Sequence, residues 1–298
     1  MESKLYKRRK LLGLTQLDLA LLSGVSDRTI RNLEYKNTQA NQETIEALTL
    51  GYKLSPKDLY RIHNYYDLEF GLAKLDQMII SKYNDITSSD TKDFVDELEK
   101  KVQNLNENTF EYYYSNQHLY FFKGVIEYYS QNYQQAYSYY IKALRFTLKD
   151  FSMKNIFYYL DYAEVLSRLE IRIIYDLASI CHNLGDSELS LKIINILVEK
   201  VDTNWNFYCE ILSHKAISEY RNENYKEALS YINKALKSAQ KLSHYKNLPL
   251  YYYNRAAIKI RLDDKSYIED KNTALDLCDY MGLDNLKKYI LKKVFKWE

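Results

Sequence analysis

The twenty residues from Thr15 to Glu34 constrain the fold of this chain more than any other segment. Thr15 can cap a first helix, and Gly24 stands where a tight turn needs a positive φ without steric cost. A second helix is expected to begin after Ser26, another capping residue. Apolar residues at helical spacing predict a packed inner face made of Leu19, Ala20, Leu22, Val25, Ile30 and Leu33. Two short helices joined by a tight turn are therefore predicted.

Flanking residues extend this pattern into a small helical bundle. A preceding helix is predicted around Leu5, Arg9 and Leu12, and a following one around Ile45, Leu48, Leu50 and Leu54. The joint spacing of the motif residues resembles the Cro-type helix-turn-helix family of phage repressors, and the residues that carry the resemblance are Gln16, Ala20, Gly24, Val25, Ile30 and Glu34. In that family the second helix of the motif enters the major groove of DNA.

The resemblance assigns roles to individual positions. It places base-reading side chains at Ser26, Asp27, Arg28 and Asn32, and phosphate-contacting side chains at Gln16, Arg31 and Lys36. It also implies a buried, structural ion pair between Arg9 and Glu34. An arginine suits guanine O6 and N7, an asparagine suits adenine N6 and N7, and an aspartate can accept from cytosine N4.

The alternative is a plain helical bundle with a solvated charged face. Charge distribution favours DNA binding, because residues 1–62 hold 11 Lys and Arg against 7 Asp and Glu. The remaining 236 residues hold 31 against 33. The N-terminal part is thus the candidate for binding a polyanion such as double-stranded DNA.

Two domains are expected, a helix-turn-helix DNA-binding domain at 1–62 and a helical-repeat domain for signal binding and dimerisation at 63–298. Only 7 Gly and 2 Pro occur in 298 residues, which predicts long helices. One is predicted from about Leu59 to Asn84 and the next, after a cap at Asp90, from Phe94 to Leu105. No Gly/Ser-rich linker separates the domains.

Other sequence features exclude several classes of protein. No run of eighteen apolar residues exists, and a basic run from Lys4 to Lys10 replaces a signal-peptide core, so a cytoplasmic protein without membrane contact is expected. Cys181, Cys209 and Cys278 lie far apart and are predicted to be core residues rather than disulfide or metal ligands. The phosphate-loop, dinucleotide, zinc-protease and serine-hydrolase motifs are absent, so we predict no cofactor and no enzyme.

A repeated spacing of 12, 4 and 3 residues organises the chain after about residue 115. It occurs at Gly124/Ala136/Tyr140/Ala143, at Ala178/Ser190/Ile194/Leu197 and at Ala216/Ala228/Ile232/Ala235. This pattern resembles the tetratricopeptide repeat, whose small residues let two antiparallel helices pack closely. An irregular helical pair is expected near Phe151 to Ser167, and a last pair at Leu250 to Leu262 and Tyr267 to Tyr280. The fold class is therefore all-α, a Cro-type bundle followed by a degenerate tetratricopeptide-like α-solenoid with a concave face.

The repeat register predicts which first-helix residues face this groove. Asn side chains can hold the backbone of an extended peptide, Tyr supplies flat walls, and Arg or His can pair with a carboxylate. The alternative for each tyrosine is ordinary packing in a chain with 32 of them. The candidate peptide-binding residues are Phe121, Tyr128, Tyr175, His182, Asn183, Tyr220, Tyr253, Asn254 and Arg261, with Ser179 and Ser213 beside them.

The whole arrangement resembles the peptide-sensing regulators of Gram-positive bacteria, the RRNPP family with its Rgg, PlcR and PrgX branches. This resemblance implies a homodimer, an imported short signalling peptide in the groove and a ligand-biased arrangement of the DNA-binding heads. A phage or toxin–antitoxin type of repressor whose repeat region holds a protein partner is the alternative.

Overall fold

The computed structural model of this chain describes residues 3–36, 38, 40–56, 58, 59 and 89–294. Within these ranges the secondary structure is helical and contains no β-strand. Residues 1–190 form one compact unit and residues 191–298 another. The all-α fold class is confirmed.

The N-terminal part of the first unit is a four-helix head. It consists of α1 (Lys4–Leu11), α2 (Gln16–Ser23), α3 (Asp27–Tyr35) and α4 (Gln42–Tyr52). Thr15 caps α2 in a reciprocal capping box with Asp18, and Gly24 ends it at φ 68°. Ser26 caps α3 by accepting from the Thr29 amide. The predicted caps and turn are all confirmed.

The core of the head contains most of the predicted residues. Leu5, Leu19, Ile30, Leu33, Ile45, Leu48 and Leu54 are all buried. The expectation for Leu22 is wrong, because its side chain is 46% exposed. The short helix α2 packs on α4 through Leu19, whose side chain lies directly above the backbone of Gly51. This close approach sets the buried face of α2 and leaves Leu22 outside it.

The rest of the first unit is built from longer helices. They are α5 (Ser89–Val102), α6 (Phe110–Tyr129), α7 (Tyr133–Arg145), the short α8 (Ile156–Leu160) and α9 (Arg168–Asn183). Two 3₁₀ turns, Met153–Asn155 and Ala163–Val165, flank α8 and form the expected irregular stretch. Helix α5 begins and ends earlier than the predicted Phe94–Leu105. The helix predicted for Leu59 to Asn84 lies, apart from Leu59 itself, outside the described residues.

Helix α10 (Ser187–Lys200) runs across the boundary between the units. The second unit continues with consecutive helices that pack on their neighbours along the chain. They are α11 (Tyr208–Arg221), α12 (Tyr225–Lys241), α13 (Leu248–Arg261), α14 (Tyr267–Met281) and α15 (Asp284–Val294). The predicted last pair corresponds to α13 and α14.

The repeat positions are core positions. Ala136, Tyr140 and Ala143 are buried in one unit, Ala216, Ala228, Ile232 and Ala235 in the other, and the third set at Ala178, Ser190, Ile194 and Leu197 is buried as well. On α6, Gly124 leaves room for the ring of Tyr140, which a Cβ at this position would strike. The close helix approach that the spacing predicts is therefore present.

The turns of two helical pairs are built alike. Gln131 and Glu223 each adopt φ 63°, and the next residue is an asparagine. Asn132 donates from Nδ2 to Glu127 at 2.8 Å, and Asn224 donates to Glu219 at the same distance. The same five-residue contact thus closes the turn between α6 and α7 and the turn between α11 and α12.

Candidate functional site

Helix α3 is amphipathic, and this property positions the candidate DNA-reading residues. Ile30 and Leu33 are buried on one side, so the residues between them are directed outward. The Ser26 cap fixes where the helix begins, which puts Asp27 and Arg28 in its first turn. Such a leading edge is the part of a recognition helix that reaches base edges.

The predicted base-reading residues differ in how far they are open to a partner. Ser26, Asp27 and Arg28 are exposed, whereas Asn32 is half-buried. Ser26 Oγ is also 2.9 Å from Thr29 Oγ1, so this hydroxyl is engaged in the cap. Among the described residues Arg28 makes no hydrogen bond or ion pair, and its guanidinium is available to guanine or phosphate.

The predicted phosphate contacts also fall into two kinds. Arg31 and Lys36 are exposed, and Arg31 forms a 3.3 Å ion pair with Asp27 one turn earlier. Both partners of that pair are more than half exposed, so the pair is weak and can be exchanged for a phosphate. Gln16 instead donates from Nε2 to Glu34 at 2.8 Å and is half-buried. Gln16 therefore joins the start of α2 to α3 inside the head.

A buried ion pair anchors α3 to α1, as the family resemblance implies. Arg9 donates to both carboxylate oxygens of Glu34, at 2.6 and 2.9 Å, and the side chains are 4% and 0% exposed. The hydrogen bond to Glu34 raises the pKa of Arg9. Arg9 also donates to the Leu14 carbonyl at 2.8 Å, which fixes the start of α2. The outward face of α3 is therefore held by a rigid support.

A second buried ion pair was not predicted. Arg8 donates to both oxygens of Glu170 at 2.8 and 2.9 Å, and both side chains are fully buried. Burial alone raises the pKa of Glu170, but Arg8 and the hydrogen bonds around the carboxylate bring this pKa below its ordinary value. Glu170 also closes a capping box with Ser167. That Ser-x-x-Glu signature marks a helix start in the sequence, but it carries no information about Arg8.

Four candidate peptide-binding residues of the first unit lie on the second half of α9 and at the end of α6. Asn183 is exposed and donates from Nδ2 to the Tyr128 hydroxyl at 3.3 Å. His182 Nδ1 lies 2.9 Å from Ser187 Oγ. Tyr175 lies about two helical turns before them and is half-buried. Ser179 Oγ donates to the Tyr175 carbonyl at 3.4 Å. These residues form a polar, partly open face.

The second unit has a comparable set. Arg261 donates from Nε to the Tyr220 hydroxyl at 3.2 Å, and Asn254 lies 3.5 Å from Ser213 Oγ. Tyr253 is only 8% exposed and packs on Tyr289 with ring centroids 6.0 Å apart. Its burial raises its pKa.

Two predicted positions are therefore core residues in this conformation. Phe121 is 1% exposed and packs on the ring of Tyr140, while Tyr253 is buried as described above. The expectation that these side chains face an open groove is wrong. The burial of Phe121 follows from Gly124. Because Gly124 has no side chain, the ring of Tyr140 packs against this stretch of α6 and covers Phe121.

Other kinds of site have no support in the described part of the chain. It contains no cluster of His, Cys, Asp or Glu side chains arranged to ligate a metal ion. None of the helices in the described ranges has the length and apolar character that a bilayer crossing needs. Cys181, Cys209 and Cys278 are buried in the core, as predicted, and their thiols are free.

The head defines the class of module. Residues 5–59 match the helix-turn-helix family, and this match coincides with α1 to α4 and their buried Arg9–Glu34 pair. The chain thus carries a Cro-type helix-turn-helix domain of DNA-binding regulators at its N-terminus. None of the curated protein sequences matches the chain.

Solved structures extend the likeness to the full length. Bacillus thuringiensis PlcR, solved with the peptide PapR7 and DNA, aligns at 16% identity over 96% of each chain with a TM-score of 0.55. The Streptococcus dysgalactiae SHP pheromone receptor Rgg2 aligns at 13% identity over 99% of each chain with a TM-score of 0.46. ComR from S. thermophilus, solved with DNA and its signalling peptide ComS, aligns at 12% identity over 99% of this chain and 98% of ComR, with a TM-score of 0.43. The fold is therefore that of PlcR, a helix-turn-helix domain followed by a helical-repeat region.

Proposed function

We propose that this chain is a sequence-specific transcription regulator that binds double-stranded DNA through α3 and is controlled by a short peptide bound to its helical-repeat region. The observation that carries the DNA part is the arrangement of α3. Its inner face is buried and anchored by Arg9–Glu34, while Arg28, Arg31 and Lys36 are exposed. Cations on the leading edge and flank of such a helix suit base edges and phosphates.

The peptide part is supported by the fold and by the chemistry of the candidate faces. PlcR, whose fold this chain has, was solved with a peptide and DNA together. In this chain Asn183 and Tyr128 in one unit, and Arg261 and Tyr220 in the other, offer donors and acceptors suited to a peptide backbone or carboxylate. We assign DNA binding to residues 1–62 and ligand binding with dimerisation to residues 63–298.

A homodimer completes the proposal, because one head reads too few base pairs for strong specificity. Two heads on half-sites roughly 34 Å apart, one turn of the double helix, supply it. A peptide changes DNA affinity only through its different affinities for the head arrangements that fit and do not fit these half-sites. Such coupling typically amounts to about 1–3 kcal/mol, or roughly 5–150-fold in affinity.

Selection of genomic fragments by the purified full chain tests the DNA part. We expect Arg28→Ala to weaken binding to a selected fragment by about 1–3 kcal/mol relative to the unsubstituted chain. Lys237→Ala removes the same charge from an exposed position on α12 and is the matched control, with no expected effect. If the protein prefers no genomic fragment over random competitor, with or without culture extract, the proposal is wrong.

Purification from the native host followed by mass spectrometry tests the peptide part. A co-eluting short peptide supports the proposal, whereas a stable stoichiometric protein partner supports the repressor alternative. Once a peptide is found, Asn183→Ala should weaken its binding while DNA binding by the head persists. Simultaneous loss of both activities would contradict separate sites.

A further inference from the structure

The leading edge of α3 carries a carboxylate among cations. Asp27 is the first residue of the helix, Arg28 follows it, and Arg31 lies one turn beyond Asp27 on the same face. All three side chains are exposed, whereas the other acidic residue of α3, Glu34, is buried. Each cation on a DNA-binding surface adds attraction to phosphates at any sequence. An exposed acid at this point therefore weakens the general attraction of α3 to DNA.

Asp27 does not serve as the cap of its helix. The side chain of Ser26 caps α3, and among the described residues the Asp27 carboxylate accepts only from Arg31. On α2, by contrast, the Asp18 carboxylate accepts from both the amide and the hydroxyl of Thr15 and closes a capping box. The acid of α2 is thus used within the head, whereas the acid of α3 is directed to the outer face.

The ion pair between Asp27 and Arg31 keeps one cation from the DNA. Their Oδ2 and Nη2 atoms are 3.3 Å apart, and the side chains are 56% and 62% exposed. A pair this exposed contributes little to stability, so Arg31 can leave it for a phosphate. Asp27 then faces a polyanion without a counter-charge, which is unfavourable unless the DNA itself offers a donor. The affinity therefore depends on the base that Asp27 meets.

Cytosine is the base that best supplies this donor. In the major groove its N4 amino group donates, and no acceptor of the same base lies beside it. Adenine offers its N6 amino group next to the N7 acceptor, whose lone pair repels a carboxylate. Guanine N7 and O6 and thymine O4 are acceptors. A carboxylate on the leading edge of a recognition helix thus favours cytosine over the other three bases.

We propose that Asp27 is a specificity-determining residue, which accepts a hydrogen bond from cytosine N4 in each half-site and opposes binding at other sequences. On the preferred site Arg31 moves to a phosphate while Asp27 gains a donor. On other DNA the carboxylate stays paired with Arg31 or loses its partner, and either case lowers the affinity. The inference rests on the proposed DNA-binding function and adds the base that the leading edge selects.

Selection from a random DNA library, with and without culture extract, tests the base preference. The unsubstituted full chain should prefer cytosine at one position of each half-site by at least about fivefold, the lower end of the cost of a mismatched pair. Asp27→Ala should lose this preference and keep those at the other positions. Asp96→Ala removes an exposed carboxylate from α5, outside the head, and should select the same sequences as the unsubstituted chain. Thermal unfolding verifies that both variants fold.

Affinity for random DNA tests the opposing role. Asp27→Ala frees Arg31 for one more phosphate, which should raise this affinity by about three- to eightfold at about 0.1 M salt and make its salt dependence steeper by about 0.9. In an Arg31→Ala background the same substitution should gain less, because no cation is released. A role of Asp27 in helix stability alone would change thermal unfolding and leave base preference and salt dependence as they are.

Any one of three results overturns the inference. They are a selected sequence in which no position prefers cytosine, a cytosine preference that persists in Asp27→Ala, and an unchanged affinity of Asp27→Ala for random DNA. In each case the unsubstituted chain still selects DNA, so the proposed function stands. If the unsubstituted chain selects no DNA at all, the proposed function itself fails and the inference fails with it.

Discussion

The outer face of α3 and the candidate peptide-binding faces differ in how their side chains are occupied. Arg28 makes no hydrogen bond or ion pair with another described residue, and Arg31 makes one exposed ion pair. On the repeat helices, by contrast, Asn183 is bonded to Tyr128 and Arg261 to Tyr220. If the proposed function holds, DNA would engage α3 without breaking buried contacts, whereas a peptide would have to exchange side-chain hydrogen bonds that already exist. The first surface depends on a rigid support, and the second on exchangeable polar pairs.

Breaking the support of α3 should have the largest effect. In Glu34→Gln the buried guanidinium of Arg9 loses its counter-charge, which typically costs about 3–5 kcal/mol. Urea unfolding of the full chain measures this change. Glu46→Gln alters an exposed carboxylate on α4 and should change the free energy of unfolding by less than about 0.5 kcal/mol. Equal stabilities of the two variants would show that the support is unnecessary.

Substitution of two glycines by alanine allows the packing of the head to be compared with that of the repeat helices. Gly124→Ala drives a methyl group into the ring of Tyr140, which is 1% exposed, and overpacking of this kind costs about 1–3 kcal/mol. Gly51→Ala meets the end of the Leu19 side chain, which can rotate, and gains helix propensity of about 1 kcal/mol. We expect thermal unfolding to show the larger loss for Gly124→Ala. The reverse order would mean that the head is the more tightly packed region.

Acid should lower the free energy of unfolding through His118, a buried residue of α6, by a smaller amount per pH unit than the glycine substitution costs. The pKa of His118 is about 4 in the folded chain and about 6.5 when unfolded, so between these values only the unfolded chain binds the proton. Stability from this residue is complete above about pH 6.5 and is lost as pH falls towards 4, by at most about 1.4 kcal/mol per pH unit. Unfolding of the unsubstituted chain and of His118→Gln across this range gives the difference. Parallel curves would contradict a buried neutral ring.

The polar pairs of the repeat helices should contribute least. Tyr128→Phe and Tyr220→Phe each remove one partly exposed hydroxyl, and we expect losses of no more than about 1 kcal/mol in the free energy of unfolding. Larger losses, measured by the same urea titration, would make these residues structural and weaken their assignment to a ligand.

Whether a feature of this structure could be predicted from the sequence depends on how far apart in the chain the contacting residues lie. Thr15, Gly24 and Ser26 act on residues a few positions away, and their roles were predicted correctly. Glu170 meets Arg8 across 162 positions, and no local rule connects them. Phe121 was misplaced for a related reason, because its environment is set by Tyr140 on the next helix rather than by its own position in the repeat.

The adjacency of Arg8 and Arg9 gives the short helix α1 a role beyond its length of 8 residues. Arg9 is paired with Glu34 on α3, and Arg8 is paired with Glu170 at the start of α9. One short helix therefore anchors both of these elements. Loss of the first ten residues would leave both buried carboxylates, Glu34 and Glu170, without their arginines. Expression tags and truncations at this end of the chain should therefore leave α1 intact if DNA binding is to be assayed.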